Sequence, residues 1–379
     1  MALPQPDTIR GQLDEIAQRV GHMVSVGESY RSNLPDELAD AVDRWKFGQY
    51  GYDSPTNILL TSAWVKALDP DQNIHICFIT KEGGYNGRDM DEKYTVPLVA
   101  KYGIYEQFCS RNSGFQGSRK IENQKRSGVL SRNDFNGSVR WDKSTFFDIM
   151  EGINSDSTLA RKAFHYLIEK GFIAKNRIEA ERQQLLNEDS GCRDKFSAFK
   201  LLTKESIAIR DPQFHKALVA AFMQELYEGQ GFLVGGLGGA RTGADARDQS
   251  PGDLWSELAG NVVEGVEVKD MTHTFDWRHI AAASDRIRHH PNIALYTLVT
   301  TGNKAVSDEI ANDEWLAHCE KKQDELGTRI RAVTYAELLE QNWYLDFAKI
   351  VHRVTRLLAN GEIPDIKSGT LQQWKTLIQ

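Results

Sequence analysis

The sequence predicts an α/β protein, α+β overall, with a mainly helical amino-terminal region. Apolar residues at helical spacing dominate as far as about residue 228. From about residue 230, short apolar or alternating runs rich in β-branched residues separate the helical segments. From about residue 205 the predicted order is α-β-β-β-α-β-α-β-α, which is typical of a sheet with packed helices.

The amino-terminal region is predicted to begin with a helix within residues 7–30. Ile9, Leu13 and Ile16 share one face of that helix, and Asp7 or Thr8 is suited to cap it. Helical patterns recur in this region at 56–67, 160–170 and 180–186, and again beyond it at 214–226. The apolar run 74–80 fits either a short buried strand or the end of a helix.

The carboxyl-terminal region is predicted to hold the strands. Residues 231–236 fit a short strand, and the valine-rich run 262–269 alternates with the period of two that strands have. A helix over 275–288 with one apolar face precedes the run 293–301, whose apolar and β-branched residues predict a buried central strand. The elements expected after that strand are a helix at 305–325, a strand at 329–334 and helices at 335–340 and 344–358. We place the domain boundary near residue 200, between regions 1–200 and 201–379.

Composition excludes several classes of protein. The 379 residues carry a net charge of −7, which argues against a protein whose whole surface binds nucleic acid. No apolar run of 18 residues occurs, so we expect no membrane span. The amino terminus lacks the pattern of a secretory signal, and the four cysteines form no CxxC pair. We therefore expect a cytoplasmic protein with reduced thiols.

One segment differs from this acidic background. Residues 111–143 hold eight basic residues against three acidic ones, with asparagine and glutamine between them. A charge run of this kind is often a solvated loop. The alternative is DNA contact, because arginine pairs with guanine, asparagine pairs with adenine, and basic side chains neutralise phosphates. The residues of this segment that suit DNA contact are Arg119, Lys120, Asn123, Lys125, Arg126 and Arg132.

One constellation points to chemistry. Pro251-Gly252-Asp253 is followed after thirteen residues by Glu267-Val268-Lys269. Glu267 and Lys269 are two residues apart on a predicted strand, so their side chains point to one face. If the strand that begins at Asp253 pairs with it, all three groups converge. Two carboxylates at one point suit Mg²⁺, and a nearby lysine can orient a metal-bound water for attack on phosphorus.

These motifs, in this order of elements, resemble the PD-(D/E)xK nuclease superfamily over residues 205–301. Within it, the chain is most similar to type II restriction endonucleases. A weaker resemblance to the SacI-like group extends over the helical half, including Arg88 and the Asn123 region. The resemblance implies a restriction-endonuclease-like mixed β-sheet core flanked by helices. It also implies Mg²⁺-dependent hydrolysis of double-stranded DNA at a short specific sequence, by a homodimer that leaves 5′-phosphates.

By residue, the resemblance makes Asp253 and Glu267 the metal ligands and Lys269 the water-positioning group. Glu225 on the preceding helix is a candidate accessory acid, and the alternative is an exposed glutamate without a role. Arg88 and Arg278 are further candidates for DNA contact. The glycine-rich run 235–243 is either a flexible turn or a loop whose amides and Arg241 approach DNA.

Two other functions remain open at this point. The same fold also suits a structure-specific nuclease of DNA repair or recombination. A non-catalytic DNA-binding protein with a decayed nuclease fold is the third reading. The presence of Asp253, Glu267 and Lys269 together argues against the third, since a decayed site has no reason to keep all three groups.

Overall fold

The chain divides into two compact units, one ending at Glu179 and the other beginning at Ala180. A computed structural model describes residues 5–47, 52–79, 82–104, 113–115, 128–132, 139, 141–187, 194–238, 250–364 and 366–379. The boundary placed near residue 200 from the sequence falls inside the second unit. The assignment of DNA recognition to residues 1–200 and of catalysis to residues 201–379 stays a prediction.

The regular secondary structure among the described residues of the first unit is helical. Its α-helices are α1 (Pro6–Ser25), α2 (Asp36–Arg44), α3 (Asp53–Leu68), α4 (Gly87–Met90), α5 (Val96–Tyr102), α6 (Lys143–Ser155) and α7 (Ser157–Leu186), which continues into the second unit. Helix α1 buries Ile9, Leu13 and Ile16, as the apolar spacing predicts. Helix α3 is buried on nearly every side, which is the behaviour of a core helix.

The run 74–80 is neither a strand nor the end of a helix in its described part. Residues 74–79 form turns, and their backbone groups are bound by other loops. The amide of Tyr85 donates to the carbonyl of Ile76 at 3.0 Å, and the amide of Leu130 donates to the carbonyl of His75 at 2.8 Å. Ile74 and Cys77 are buried, so this apolar run contributes side chains to the core although it forms no helix or strand.

The second unit alternates helices and strands. Its elements in chain order are α8 (Lys195–Lys200), α9 (Pro212–Leu226), β1 (Phe232–Gly235), β2 (Leu254–Leu258), β3 (Asn261–Lys269), α10 (Trp277–His289), β4 (Leu295–Thr300), α11 (Asn312–Leu326), β5 (Arg329–Thr334), α12 (Tyr335–Gln341), α13 (Phe347–Ala359) and α14 (Ser368–Ile378). This confirms the order predicted from about residue 205. Helix α11 begins later than predicted because Phe275 hydrogen-bonds to Ala305 and pairs with Val306, which keeps those residues extended.

The five strands form one mixed sheet in the order β1-β2-β3-β4-β5. Strands β1, β2 and β3 form an antiparallel meander, whereas β3, β4 and β5 run parallel. Helices α10 and α11 lie in the two crossovers between the parallel strands, which need such long connections. The structure thus confirms a mixed α/β protein with a mixed sheet.

Strand β4 is the buried centre that its composition predicts. Five of its six residues are buried, and one face packs in a core that contains Tyr296 and Leu298. Helix α10 contributes Ile280, Ala283 and Ile287 to the same core. Burial of each isoleucine side chain contributes about 1.5–3 kcal/mol. None of the helices in the described parts of the chain combines the length and the apolar character needed to cross a membrane.

Candidate active site

Asp253 lies where the loop before β2 meets the carboxyl-terminal part of β3. Its Oδ2 accepts a 2.8 Å hydrogen bond from the backbone amide of Val268. The loop approaches this closely because position 252 is glycine, with φ +157° and no side chain. A Cβ there would lie 2.6 Å from the carbonyl oxygen of Val266. The sequence therefore fixes Asp253 against the strand that carries Glu267 and Lys269.

Glu267 and Lys269 share one face of β3, as their spacing predicts. Lys269 Nζ donates to Glu267 Oε1 at 2.5 Å. Glu267 is only 8% exposed, and Lys269 is partly buried. The structure therefore brings Asp253, Glu267 and Lys269 together at one point, at the carboxyl-terminal part of β3. Their catalytic and metal-binding roles stay predictions.

Arg286 is a member of this cluster that sequence reasoning did not assign to it. It projects from α10, and its Nη1 donates to Glu267 Oε2 and, at 3.0 Å, to the hydroxyl of Tyr296. One signal was present in the sequence. Arg286 precedes Ile287 and follows Ala283 by three residues, so it borders the buried stripe of α10 and reaches the sheet. Both oxygens of Glu267 are thus held by cationic side chains.

The two carboxylates differ in their electrostatic surroundings. Burial and the charge of Glu267 raise the pKa of Asp253 to about 6, against the opposing effects of Lys269 and the Val268 amide. Burial alone would raise the pKa of Glu267 too. The charges and hydrogen bonds of Lys269 and Arg286 outweigh that effect and hold the pKa of Glu267 below its ordinary value. Asp253 is therefore the carboxylate whose negative charge is least compensated.

Helix α9 adds a second residue that the sequence did not indicate. Lys216 is buried, and its positive charge acts on Asp253. Its neighbour His215 is fully buried, with Nδ1 2.9 Å from Thr301 Oγ1 at the end of β4. Burial lowers the pKa of His215, so the imidazole is neutral at neutral pH.

Glu225 lies on the same helix but away from the cluster. It is nine residues beyond Lys216, which is about 13 Å along the axis of an α-helix. Its Oε2 accepts a 2.9 Å hydrogen bond from Nε of Arg353 on α13, and its side chain is buried. The alternative of an exposed glutamate is therefore wrong about exposure, and an accessory acid role for Glu225 stays a prediction.

Three of the predicted DNA-contacting residues lie among the described residues, and each has a carboxylate partner. Arg88 donates to Glu92 on an exposed helical turn, and Arg278 donates to Asp276 at the start of α10. Arg132 binds carboxylates of α6, with Nη2 2.6 Å from Asp148 Oδ1. The other predicted contacts lie outside the described residues, and these are Arg119, Lys120, Asn123, Lys125, Arg126 and Arg241.

The chemistry open to this cluster follows from its donor set. Among the described residues, no group of three or more histidine, cysteine, aspartate or glutamate side chains converges as a metal site. Asp253 and Glu267 supply two hard oxygen donors, which suits Mg²⁺ because this ion keeps several waters and needs few protein ligands. The charge of Asp253, which is less compensated than that of Glu267, also suits a divalent cation. No family model and no curated protein matches the chain.

Proposed function

We propose that the protein is a type II restriction endonuclease, a Mg²⁺-dependent enzyme that hydrolyses double-stranded DNA at a short specific sequence and leaves 5′-phosphates. The observation that carries the proposal is the hydrogen bond from Val268 to Asp253. It fixes one carboxylate beside Glu267 and Lys269, where β2 pairs with β3, the central strand of a mixed sheet. The order of elements from α9 to β4 supports a restriction-endonuclease-like core.

In this proposal Asp253 and Glu267 hold Mg²⁺, which when bound neutralises charge on the scissile phosphate and activates a water. Other residues of the chain orient the water and the two carboxylates. Lys269 holds a proton at Nζ, and its ammonium orients the attacking water. Arg286 fixes the Glu267 carboxylate through Oε2 and so sets the direction of the other oxygen. Lys216 limits the negative charge around Asp253.

Recognition is assigned to the helical region and the segment 111–143, and cleavage to the sheet. A homodimer suits this function because a two-fold axis lets each subunit read one half-site and cut one strand. A cytoplasmic location follows from the same proposal, since the enzyme meets invading DNA there.

The experiment is a digest of phage DNA of known sequence with Mg²⁺, followed by sequencing of the fragment ends. Discrete ends that share one short sequence and carry 5′-phosphates are the expected result. A smear, or digestion that starts only from ends or branches, would replace this proposal with a structure-specific nuclease of the same fold. DNA binding without cleavage at any Mg²⁺ concentration would favour the non-catalytic reading.

A further inference from the structure

A second polar cluster lies on the face of the sheet opposite to Glu267. Side chains alternate along β3, so Glu264 and Val266 point away from the side that carries Glu267. They border a cavity of about 350 Å³ between the sheet and helices α9 and α12. Eight of its fourteen lining residues are apolar, and these are Val219, Phe222, Met223, Leu226, Val266, Leu295, Val299 and Leu338.

Glu264 forms one polar corner of this cavity. It is buried, and hydroxyl groups bind both of its oxygens. Tyr227 donates to Oε2 at 2.5 Å, and Thr297 donates to Oε1 at 3.4 Å. Ser256 lies 3.5 Å from Oε2. Among the described residues, Glu264 is thus bound by hydroxyl groups and forms no ion pair, although the positive charge of Arg331 acts on it.

Arg331 forms the other polar corner. It stands opposite Thr297 in the register of β4 and β5, and its Nε donates to Thr297 Oγ1 at 3.3 Å. Among the described residues Arg331 makes no ion pair, and Nε provides its only side-chain hydrogen bond. Burial lowers the pKa of Arg331, so its charge is poorly solvated. Its two terminal nitrogens are left with donor capacity at a cavity that also presents apolar side chains.

We propose that this cavity binds a small monocarboxylate with an apolar body. The planar fork of an arginine matches the two oxygens of a carboxylate, and the apolar wall accepts the rest of the ligand. The charge of Glu264 nearby disfavours a dianion such as phosphate. The volume equals that of about twelve waters, which accommodates a molecule of the size of benzoate or hexanoate. Cavities of this size with few convergent polar groups are typical ligand sites.

The site is independent of the proposed cleavage, and its test measures binding alone. Benzoate and hexanoate are titrated into the full-length protein by calorimetry, with benzamide and inorganic phosphate as controls. We expect binding of both carboxylates and none of either control. Equal binding of benzamide and benzoate, or no binding of either carboxylate at millimolar concentration, would overturn the proposal.

Two variants locate the site. Arg331→Met removes the cation and is expected to weaken benzoate binding at least tenfold, whereas Arg329→Met changes an arginine on the same strand outside the cavity and is expected to leave it unchanged. Val219→Phe fills the cavity without changing charge, and it should also abolish binding. If Arg331→Met does not fold, Val219→Phe still tests whether benzoate binds in this cavity. Undiminished binding in Val219→Phe would contradict the proposed location.

Discussion

The amide of Val268 donates a 2.8 Å hydrogen bond to Asp253 Oδ2, and this bond joins the loop before β2 to the residue between Glu267 and Lys269. Asp253 is therefore positioned by backbone, not by its neighbours' side chains. The bond depends on the close approach of the loop to β3, which Gly252 permits.

Gly252→Ala tests this dependence without altering any charge. The new Cβ would meet the Val266 carbonyl oxygen and would also occupy a backbone conformation that residues with a side chain rarely adopt. We expect a loss of about 2 kcal/mol in the free energy of unfolding and weaker divalent-metal binding. Urea unfolding and calorimetry with Ca²⁺ measure the two effects. Gly238→Ala is the control, because a Cβ there meets nothing within 4 Å.

Arg286 is expected to be a positioning residue for Glu267. Arg286→Met leaves Oε2 of a buried carboxylate and the Tyr296 hydroxyl without their shared donor. Loss of one partner of a buried pair destabilises a protein by on the order of 3 kcal/mol. Arg288→Met, which removes an exposed arginine of the same helix, should cost less than about 1 kcal/mol. Equal unfolding free energies for the two variants would refute this role.

Lys269 is expected to compete with a metal ion for Glu267. Its ammonium lies 2.5 Å from Oε1, so a divalent cation must displace it or share that carboxylate. Lys269→Met should therefore bind Ca²⁺ more tightly than the wild type while losing cleavage with Mg²⁺. Calorimetry and a plasmid assay on the same preparation separate the two effects. A Ca²⁺ affinity that falls or stays constant would show that the lysine does not oppose the metal.

Asp91 in the first unit predicts a pH dependence of stability. Burial raises its pKa from 3.8 to about 6, against hydrogen bonds from Ser113, Gly114 and Thr61. A carboxyl whose pKa is raised on folding stabilises the folded state at low pH, and this stabilisation is lost as the pH rises through 6. Between pH 4 and pH 7, the unfolding free energy of the wild type should fall by on the order of 3 kcal/mol relative to Asp91→Asn. Parallel curves for the two proteins would contradict the shift.

The sequence predicts most of the sheet because its strands have strong local patterns. Residues 329–334 match β5, and the alternating run 262–269 matches nearly all of β3. The two-residue spacing of Glu267 and Lys269 also gives their shared face directly. Local patterning failed at 74–79, where loops distant in sequence bind the backbone and prevent a strand.

Long side chains account for what the sequence could not predict at the site. Arg286 reaches Glu267 across 19 residues, and Arg353 reaches Glu225 across 128. No local pattern specifies either partner, because both depend on how helices pack beside the sheet. The burial of Lys216 near Asp253 has the same origin. The positions of charged ligands on one strand were predictable, whereas the groups that hold them were not.

The most direct test of the proposed function is cleavage of a DNA that contains the recognition sequence, with Mg²⁺, by the wild type and four variants. We expect Asp253→Asn, Glu267→Gln and Lys269→Met each to cut at least about 100-fold more slowly than the wild type. Glu169→Gln, a matched change of a buried carboxylate that accepts hydrogen bonds from Ser29 and from the Tyr30 amide, should retain cleavage at close to the wild-type rate. A wild-type protein that cuts no DNA, or three cluster variants that cut at the wild-type rate, would contradict the assignment.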